Sequence, residues 1–206
     1  MSPDTETLRE DLAFMRALVS AGGDQTRTFG QGYFAAGLIY GAQMLLHAAQ
    51  FAGWLPTDAL WGLGIGLGPT IVFLPVIVWI TVRASKVRTG STGRAVGAVF
   101  AAAGAANLAL IAVIGMVAWQ ERSLTTWLIF PCAVYVLQGA AWLVVWTLRR
   151  KLWLAVVAVG WFVAAIAMAA NILQIGAYLT AAALGIWLCM ALPGWIMLRA
   201  PATGGA

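Results

Sequence analysis

Few residues in this chain could bind a ligand or catalyse a reaction, and His47 is its only histidine. It lies in the segment QMLLHAAQ, residues 43–50. At 100° per residue an arc of about 80° on the helical wheel holds one polar stripe, made of Ala36, Tyr40, Gln43, His47 and Gln50. The stripe carries phenol, amide and imidazole groups but no charge. It therefore predicts either a binding site for a neutral ligand or hydrogen bonds between helices.

Two further uncharged polar residues lie at compatible depths, Asn107 and Gln138, while Asn171 and Gln174 lie nearer one end of their helix. If these residues converge, they form a neutral cavity biased to the external half of the protein. The candidate binding residues are Tyr40, Gln43, His47, Gln50, Asn107 and Gln138. The alternative is that they only join helices, where such a hydrogen bond contributes about 1 kcal/mol.

Catalysis and metal binding have little support in the sequence. One histidine supplies one metal ligand, and the glycines near residue 64 lack the Lys-Ser/Thr pair of a phosphate-binding loop. The seven acidic residues all lie outside the apolar segments: Asp4, Glu6, Glu10, Asp11, Asp24, Asp58 and Glu121. Cys132 and Cys189 lie at different depths of their helices, so we do not expect them to pair. We predict a protein that is not an enzyme and has no cofactor.

The elements that position these residues are apolar and almost free of charge. Apolar residues make up 62% of the 206 residues and charged residues only 9%, with a mean hydropathy of +0.89. A soluble domain carries roughly 25% charged residues. Five windows contain no Asp, Glu, Lys or Arg: 28–57, 59–82, 95–120, 123–148 and 152–198. A membrane helix needs about 20 apolar residues, so the fifth window must hold two helices.

The predicted fold is therefore all-α: a polytopic integral membrane protein with six transmembrane helices and a short amphipathic N-terminal helix. The spans are predicted near 33–54, 59–82, 95–119, 126–148, 152–171 and 178–198, with a hinge at NILQIGAY (171–178). We divide the chain into an amphipathic helix and linker (1–29), a six-helix bundle (30–199) and a tail (200–206). Both 1–29 and 200–206 are expected to be cytoplasmic.

The basic residues predict this orientation. Eleven of the 12 Lys and Arg residues fall on one side of the predicted spans, and Arg122 alone falls on the other. Because cytoplasmic loops collect Lys and Arg, both termini should face the cytoplasm, in an inner or plasma membrane. The net charge of +5 then indicates attraction to anionic lipid rather than nucleic-acid binding. A Trp-x3-Arg pattern recurs at three cytoplasmic helix ends: Trp79 and Arg83, Trp146 and Arg150, Trp195 and Arg199.

The N-terminal segment predicts an amphipathic helix that starts near Pro3 and ends at Gly22-Gly23. Leu8, Leu12, Met15 and Val19 recur at helical spacing and make one apolar face. This helix could lie at the membrane interface, pack on the bundle or bind a partner.

Small residues predict where helices pack closely, because lipid offers no hydrophobic gradient between helices. The second span carries Gly62-x3-Gly66 and Gly64-x3-Gly68, and the third carries Gly93, Gly97, Ala101 and Ala105. These stripes could act within the chain or between protomers. Gly68-Pro69 lies near the middle of the second span, where the proline leaves a carbonyl without its helical donor.

Together these patterns predict a non-catalytic accessory or scaffold subunit that acts through helix contacts, with partner proteins or with copies of itself, and through its N-terminal helix. Its expected partners are the lipid bilayer, other membrane proteins or copies of itself. The alternative is a facilitator or transporter of a small neutral or lipid-like solute, with the polar stripe of the first span lining its path.

Overall fold

A computed structural model describes the backbone of residues 3–84 and 91–199, and the side chains of residues 26–58, 60–83 and 92–199. The described residues form helices and short turns and contain no strand. The helices are α1 (Pro3–Phe51), α2 (Ala59–Ala84), α3 (Ser91–Glu121), α4 (Leu124–Arg149), α5 (Leu152–Ala170), α6 (Ile175–Ile186) and α7 (Leu192–Arg199), with a π-helical turn, Trp187–Ala191, joining α6 to α7.

Five helical segments in the described part of the chain are long and apolar enough to cross a membrane: Leu60–Arg83, Thr92–Glu121, Leu124–Arg149, Leu152–Ala170 and Ile175–Arg199. They match predicted spans two to six, and the turn at 171–173 confirms the hinge. The protein is all-helical with several long apolar helices, as in multi-pass membrane proteins. The segment 33–54 is not among the five, because its polar stripe lowers its hydropathy. A sixth span therefore remains a prediction.

Helix α1 is longer than the sequence predicted. It runs through 49 residues without interruption, so the prediction that Gly22-Gly23 end a separate helix is wrong. Glycine weakens a helix by only about 1 kcal/mol and does not by itself stop one. At about 1.5 Å per residue the helix is roughly 74 Å long, more than twice the thickness of a bilayer core. The side chains of Leu8, Leu12, Met15 and Val19 lie outside the described residues.

The closest helix contact in the described chain joins α1 to the π-helical turn and α7, where glycines allow backbone to meet backbone. A Cβ built on Gly37 would stand 2.5 Å from the Ala191 nitrogen and 2.6 Å from its Cα. A Cβ built on Gly194 would stand 2.7 Å from the Cα of Phe34. We call this contact the α1–α7 seam.

The π-helical turn in this seam has a local cause. Pro193 lacks an N–H and its ring crowds the carbonyl four residues earlier, that of Cys189. The Leu192 N–H instead bonds to the Trp187 carbonyl, five residues back. The extra residue per turn removes the clash while the chain stays helical into α7.

The remaining packing is uneven. Helix α1 packs against α2 and α6, α4 packs against α3 and α5, and α5 packs against α6. Within the apolar windows, 33% of α4 and 39% of α5 is buried, against 11% of α2 and 6% of α3. The largest fully buried side chains are Trp142, Trp161, Tyr178 and Met168. The core thus lies among α1, α4, α5 and α6, with α2 and α3 at the edges.

Two of the three Trp-x3-Arg pairs stack. The Arg83 guanidinium lies 4.5 Å from the Trp79 ring centroid, and that of Arg199 lies 3.8 Å from the Trp195 ring. In the third pair the link is through the backbone: Arg150 is left-handed with φ 54° and its N–H donates to the Trp146 carbonyl at 2.7 Å. Each arrangement holds an arginine at a helix end, as expected for interfacial anchors.

Candidate functional site

The polar stripe of α1 makes two separate sets of contacts. Its first two polar side chains, Tyr40 and Gln43, contact α2. The Tyr40 ring lies 5.6 Å from that of Phe73, and the Gln43 amide donates to the Gly66 carbonyl at 3.2 Å. That carbonyl is next to the one that Pro69 leaves without its helical donor. Gln43 thus supplies a polar link beside the proline break in α2.

The other two stripe residues bond near the end of α1. The Nδ1 atom of His47 lies 3.3 Å from the Gln50 amide oxygen, and the Gln50 amide nitrogen donates to the Pro56 carbonyl at 2.8 Å. His47 is half-buried. This chain of bonds ties the end of α1 to the following loop.

The candidates on other helices lie elsewhere. The Gln138 amide oxygen accepts a hydrogen bond from the Tyr33 hydroxyl at 3.4 Å, between α4 and α1. Asn107 lies on α3, where its buried amide oxygen has no hydrogen-bond partner among the residues that the structure describes. The structure therefore does not bring the six candidate residues together in one cavity.

Two grooves are open at the protein surface. The first, of about 630 Å3, lies between α1 and α2 and is lined by Ile39, Ala42, Gln43, Leu46, Leu60, Trp61, Gly64, Ile65, Gly68, Pro69 and Val72. Of the six candidates it contains Gln43 alone. Its lining is otherwise apolar, so it is suited to hydrocarbon rather than to a polar solute.

The second groove, of about 550 Å3, lies where α3 turns into α4 and is lined by Gly115, Ala118, Trp119, Arg122, Ser123, Leu124 and Trp127. Ser123 caps α4, because its hydroxyl accepts a hydrogen bond from the Thr126 N–H at 3.1 Å. Arg122 is exposed at the turn. The groove therefore combines a cation with apolar and indole surfaces.

The sequence prediction missed a buried cluster around Tyr33. The Trp142 indole N–H donates to the Tyr33 hydroxyl at 2.5 Å, and the Tyr33 ring lies 5.4 Å from Phe29 and 6.1 Å from Phe100. These residues join α1, α3 and α4. The signal was present, since Tyr33 lies about 60° from Ala36 on the wheel and extends the polar stripe by one turn.

Other reactive groups are isolated from one another. Cys132 and Cys189 are free and buried, and the Cys132 thiol lies 3.9 Å from the Tyr178 hydroxyl. The described residues contain no group of three His, Cys, Asp or Glu side chains that could hold a metal ion. Comparison with protein-family models, curated proteins and solved structures found no match to this chain.

Proposed function

We propose that this protein is a non-catalytic membrane subunit that assembles with other transmembrane helices through α2 and α3. One observation carries the proposal. Six glycines on these helices have no neighbouring atom within 4 Å of the position that a Cβ would take: Gly62, Gly64, Gly66, Gly68, Gly97 and Gly104. Ala101 and Ala105, which continue the stripe on α3, are exposed.

Close packing of small residues is what drives helices together in lipid. Within this chain the α1–α7 seam uses glycines in that way, whereas no described atom lies within 4 Å of the Cβ positions of these six glycines on α2 and α3. A transmembrane helix from another membrane protein, or from a second copy, would fill the same kind of contact. This supports the subunit interpretation over a function completed within one chain.

The test replaces Gly62 and Gly66 together with Ile. Because no described atom lies within 4 Å of the Cβ position at either residue, we expect normal insertion and folding but loss of the proteins that co-purify from native membranes. Leu63→Ile with Leu67→Ile is the matched control, since both leucines are exposed on the same helix. If the variant with Ile at Gly62 and Gly66 still co-purifies with the same proteins as the unaltered chain, the proposal is contradicted.

The orientation belongs to the same proposal. With 11 of 12 basic residues on one side, we infer six spans in a cytoplasmic membrane with both termini in the cytoplasm. Reporter fusions after residues 90 and 206 should report the cytoplasm, and fusions at 56 and 123 the external side. A cytoplasmic result at 56 would remove the first span.

Helix α1 supports a second contact surface, on its N-terminal part. Residues 3–25 add about 35 Å of uninterrupted helix before Thr26, the first residue of α1 whose side chain the structure describes. Replacing Leu8, Leu12 and Met15 with Ser should leave insertion intact and remove partners that bind this arm. If every partner is retained, residues 3–25 of α1 have only an interfacial role.

The solute-transport alternative receives less support. It requires the polar side chains to share a path, but Gln43 bonds to α2, His47 and Gln50 bond toward a loop, and Gln138 bonds to Tyr33. Apart from the His47–Gln50 contact, which lies within α1, each of these hydrogen bonds links two elements of the fold. The distribution favours packing over a polar conduit.

A further inference from the structure

Arg122 ends α3 in a backbone conformation that usually belongs to glycine. Its φ is 50°. Its N–H donates to the Trp119 carbonyl at 3.3 Å, and the Ser123 N–H donates to the Ala118 carbonyl at 3.1 Å. This pair of bonds is a Schellman motif, in which the left-handed position is most often glycine because a Cβ is disfavoured there. An arginine at this position is therefore costly to the fold.

The charge of Arg122 is not neutralised within the described chain. The neighbouring carboxylate, Glu121, accepts a hydrogen bond from the Thr126 hydroxyl at 2.7 Å and does not line the groove. Among the described side chains Arg122 has no ion-pair or hydrogen-bond partner. It is also the one basic residue of 12 that the charge pattern assigns to this side.

Below the arginine the groove becomes apolar. Its walls run from Arg122 back to Gly115, seven residues or about 10 Å along α3. A Cβ on Gly115 would stand 3.5 Å from the Trp127 ring, which is ordinary van der Waals contact, so the indole lies beside this part of α3 and forms one wall. Trp119 is 85% exposed beside the mouth, and tryptophan is enriched at the level of lipid headgroups.

We propose that this groove binds one anionic phospholipid, with its phosphate on the Arg122 guanidinium and the start of an acyl chain along Gly115, Ala118 and Trp127. The groups along the groove follow the same order as the parts of a phospholipid: a cation at the mouth for the phosphate, indole at the interface and an apolar wall beneath for the acyl chain. Arginine forms strong, charge-assisted hydrogen bonds with phosphate. A soluble anion would use the arginine but not the apolar wall. The site is independent of partner binding through α2 and α3.

The first test is thermal unfolding of the purified protein in dodecyl maltoside with added phosphatidylglycerol. Arg122→Gly removes the charge and relieves the left-handed backbone. We expect an unchanged or higher melting temperature without lipid, but at least a tenfold increase in the phosphatidylglycerol concentration needed for half-maximal stabilisation, the loss expected for one charged hydrogen bond. Arg122→Lys should recover part of the response.

Arg150→Gly is the matched control, because Arg150 is also exposed and left-handed at a helix end. It removes the same charge from the opposite side of the predicted bundle and should keep the lipid response. If Arg122→Gly and Arg150→Gly weaken the stabilisation by phosphatidylglycerol equally, the effect depends only on net charge and the proposal is overturned. Stabilisation by glycerol phosphate, which has no acyl chain, or the absence of any response to phosphatidylglycerol would also overturn it.

A second measurement locates the lipid. Phosphatidylglycerol with a photoreactive diazirine near the glycerol end of one acyl chain should label peptides that contain 115–127. The labelling should fall in Arg122→Gly and persist in Arg150→Gly. Labelling spread evenly over the apolar helices, or unaffected by Arg122→Gly, would overturn the assignment.

Discussion

Two glycine-rich surfaces of this molecule have the same composition but opposite surroundings. In the α1–α7 seam, a Cβ on Gly37 or Gly194 would fall within 3 Å of backbone atoms of the facing helix. On α2 and α3, the corresponding space at Gly62, Gly66 and Gly104 is empty. Small residues at helical spacing thus indicate that a close contact can form. They do not identify the helix that makes it.

The largest expected effect comes from filling the seam. Gly37→Ala places a methyl group against the Ala191 backbone, which cannot rotate away as a side chain can. Overpacking of this kind costs roughly 1–3 kcal/mol and sometimes more, and we expect the upper end, about 3 kcal/mol. Unfolding in detergent, followed by tryptophan fluorescence, measures it. Gly66→Ala is the control, and equal losses in both variants would show that the two surfaces do not differ.

The second prediction concerns the contact that holds α1 to α4. Tyr33→Phe removes the hydroxyl to which Trp142 donates and leaves the buried indole N–H without its acceptor, at a cost of about 1–3 kcal/mol. Tyr40→Phe is the matched control, since the Tyr40 ring packs on Phe73 and its hydroxyl makes no hydrogen bond among the described residues. The same unfolding measurement should rank Tyr33→Phe well below Tyr40→Phe in stability. If Tyr40→Phe is instead the less stable variant, the Tyr33–Trp142 hydrogen bond is not the contact that holds α1 to α4.

Most of the helices could be predicted from the sequence because the property that defines them is local. Windows without charge, bounded by charged residues, predicted spans two to six, and the polar stretch around Asn171 predicted the hinge. The end of the N-terminal helix was predicted wrongly because Gly22-Gly23 only weakens a helix, and no proline follows before Pro56 to stop it.

Which helices would meet could not be predicted, because it depends on contacts between distant segments. The wheel correctly placed Gln43 and His47 on one face, but a face is shared by more than one neighbour. Gln43 reaches α2, while Tyr33, nearly three turns earlier on the same helix, accepts a hydrogen bond from Trp142 of α4. The glycines of α2 form the more regular pattern, yet the close contact is made by Gly37 against the Ala191 backbone and by Gly194 against the Phe34 backbone.

The third prediction separates packing from binding at His47. Its contact is with Gln50, near the end of α1, so His47→Leu removes one partly buried bond and should cost about 1 kcal/mol. Folded yield and co-purifying proteins should both be retained. His47→Asp tests the surroundings: a charge costs about 2.5–3.5 kcal/mol at the centre of a membrane helix on insertion scales and less toward the helix end, so a clear loss of yield at this position indicates a dry site. A folded His47→Leu protein that loses function, with His47→Asp tolerated, would instead favour the hydrated cavity.

The smallest expected effect is a gain. Gly104 lies on α3 with open space where its Cβ would be, so Gly104→Ala should raise the free energy of unfolding of the isolated chain by about 0.5–1 kcal/mol through helix propensity alone. Ala105→Gly, at the exposed neighbouring position, should lower it by a similar amount. In native membranes the sign should reverse for assembly, because the added methyl group occupies the space that a partner helix needs. Chemical cross-linking before solubilisation would then recover fewer companions from Gly104→Ala than from the unaltered protein. If the variant gains stability and keeps all its companions, this face of α3 contacts lipid, and the proposed assembly surface is confined to α2.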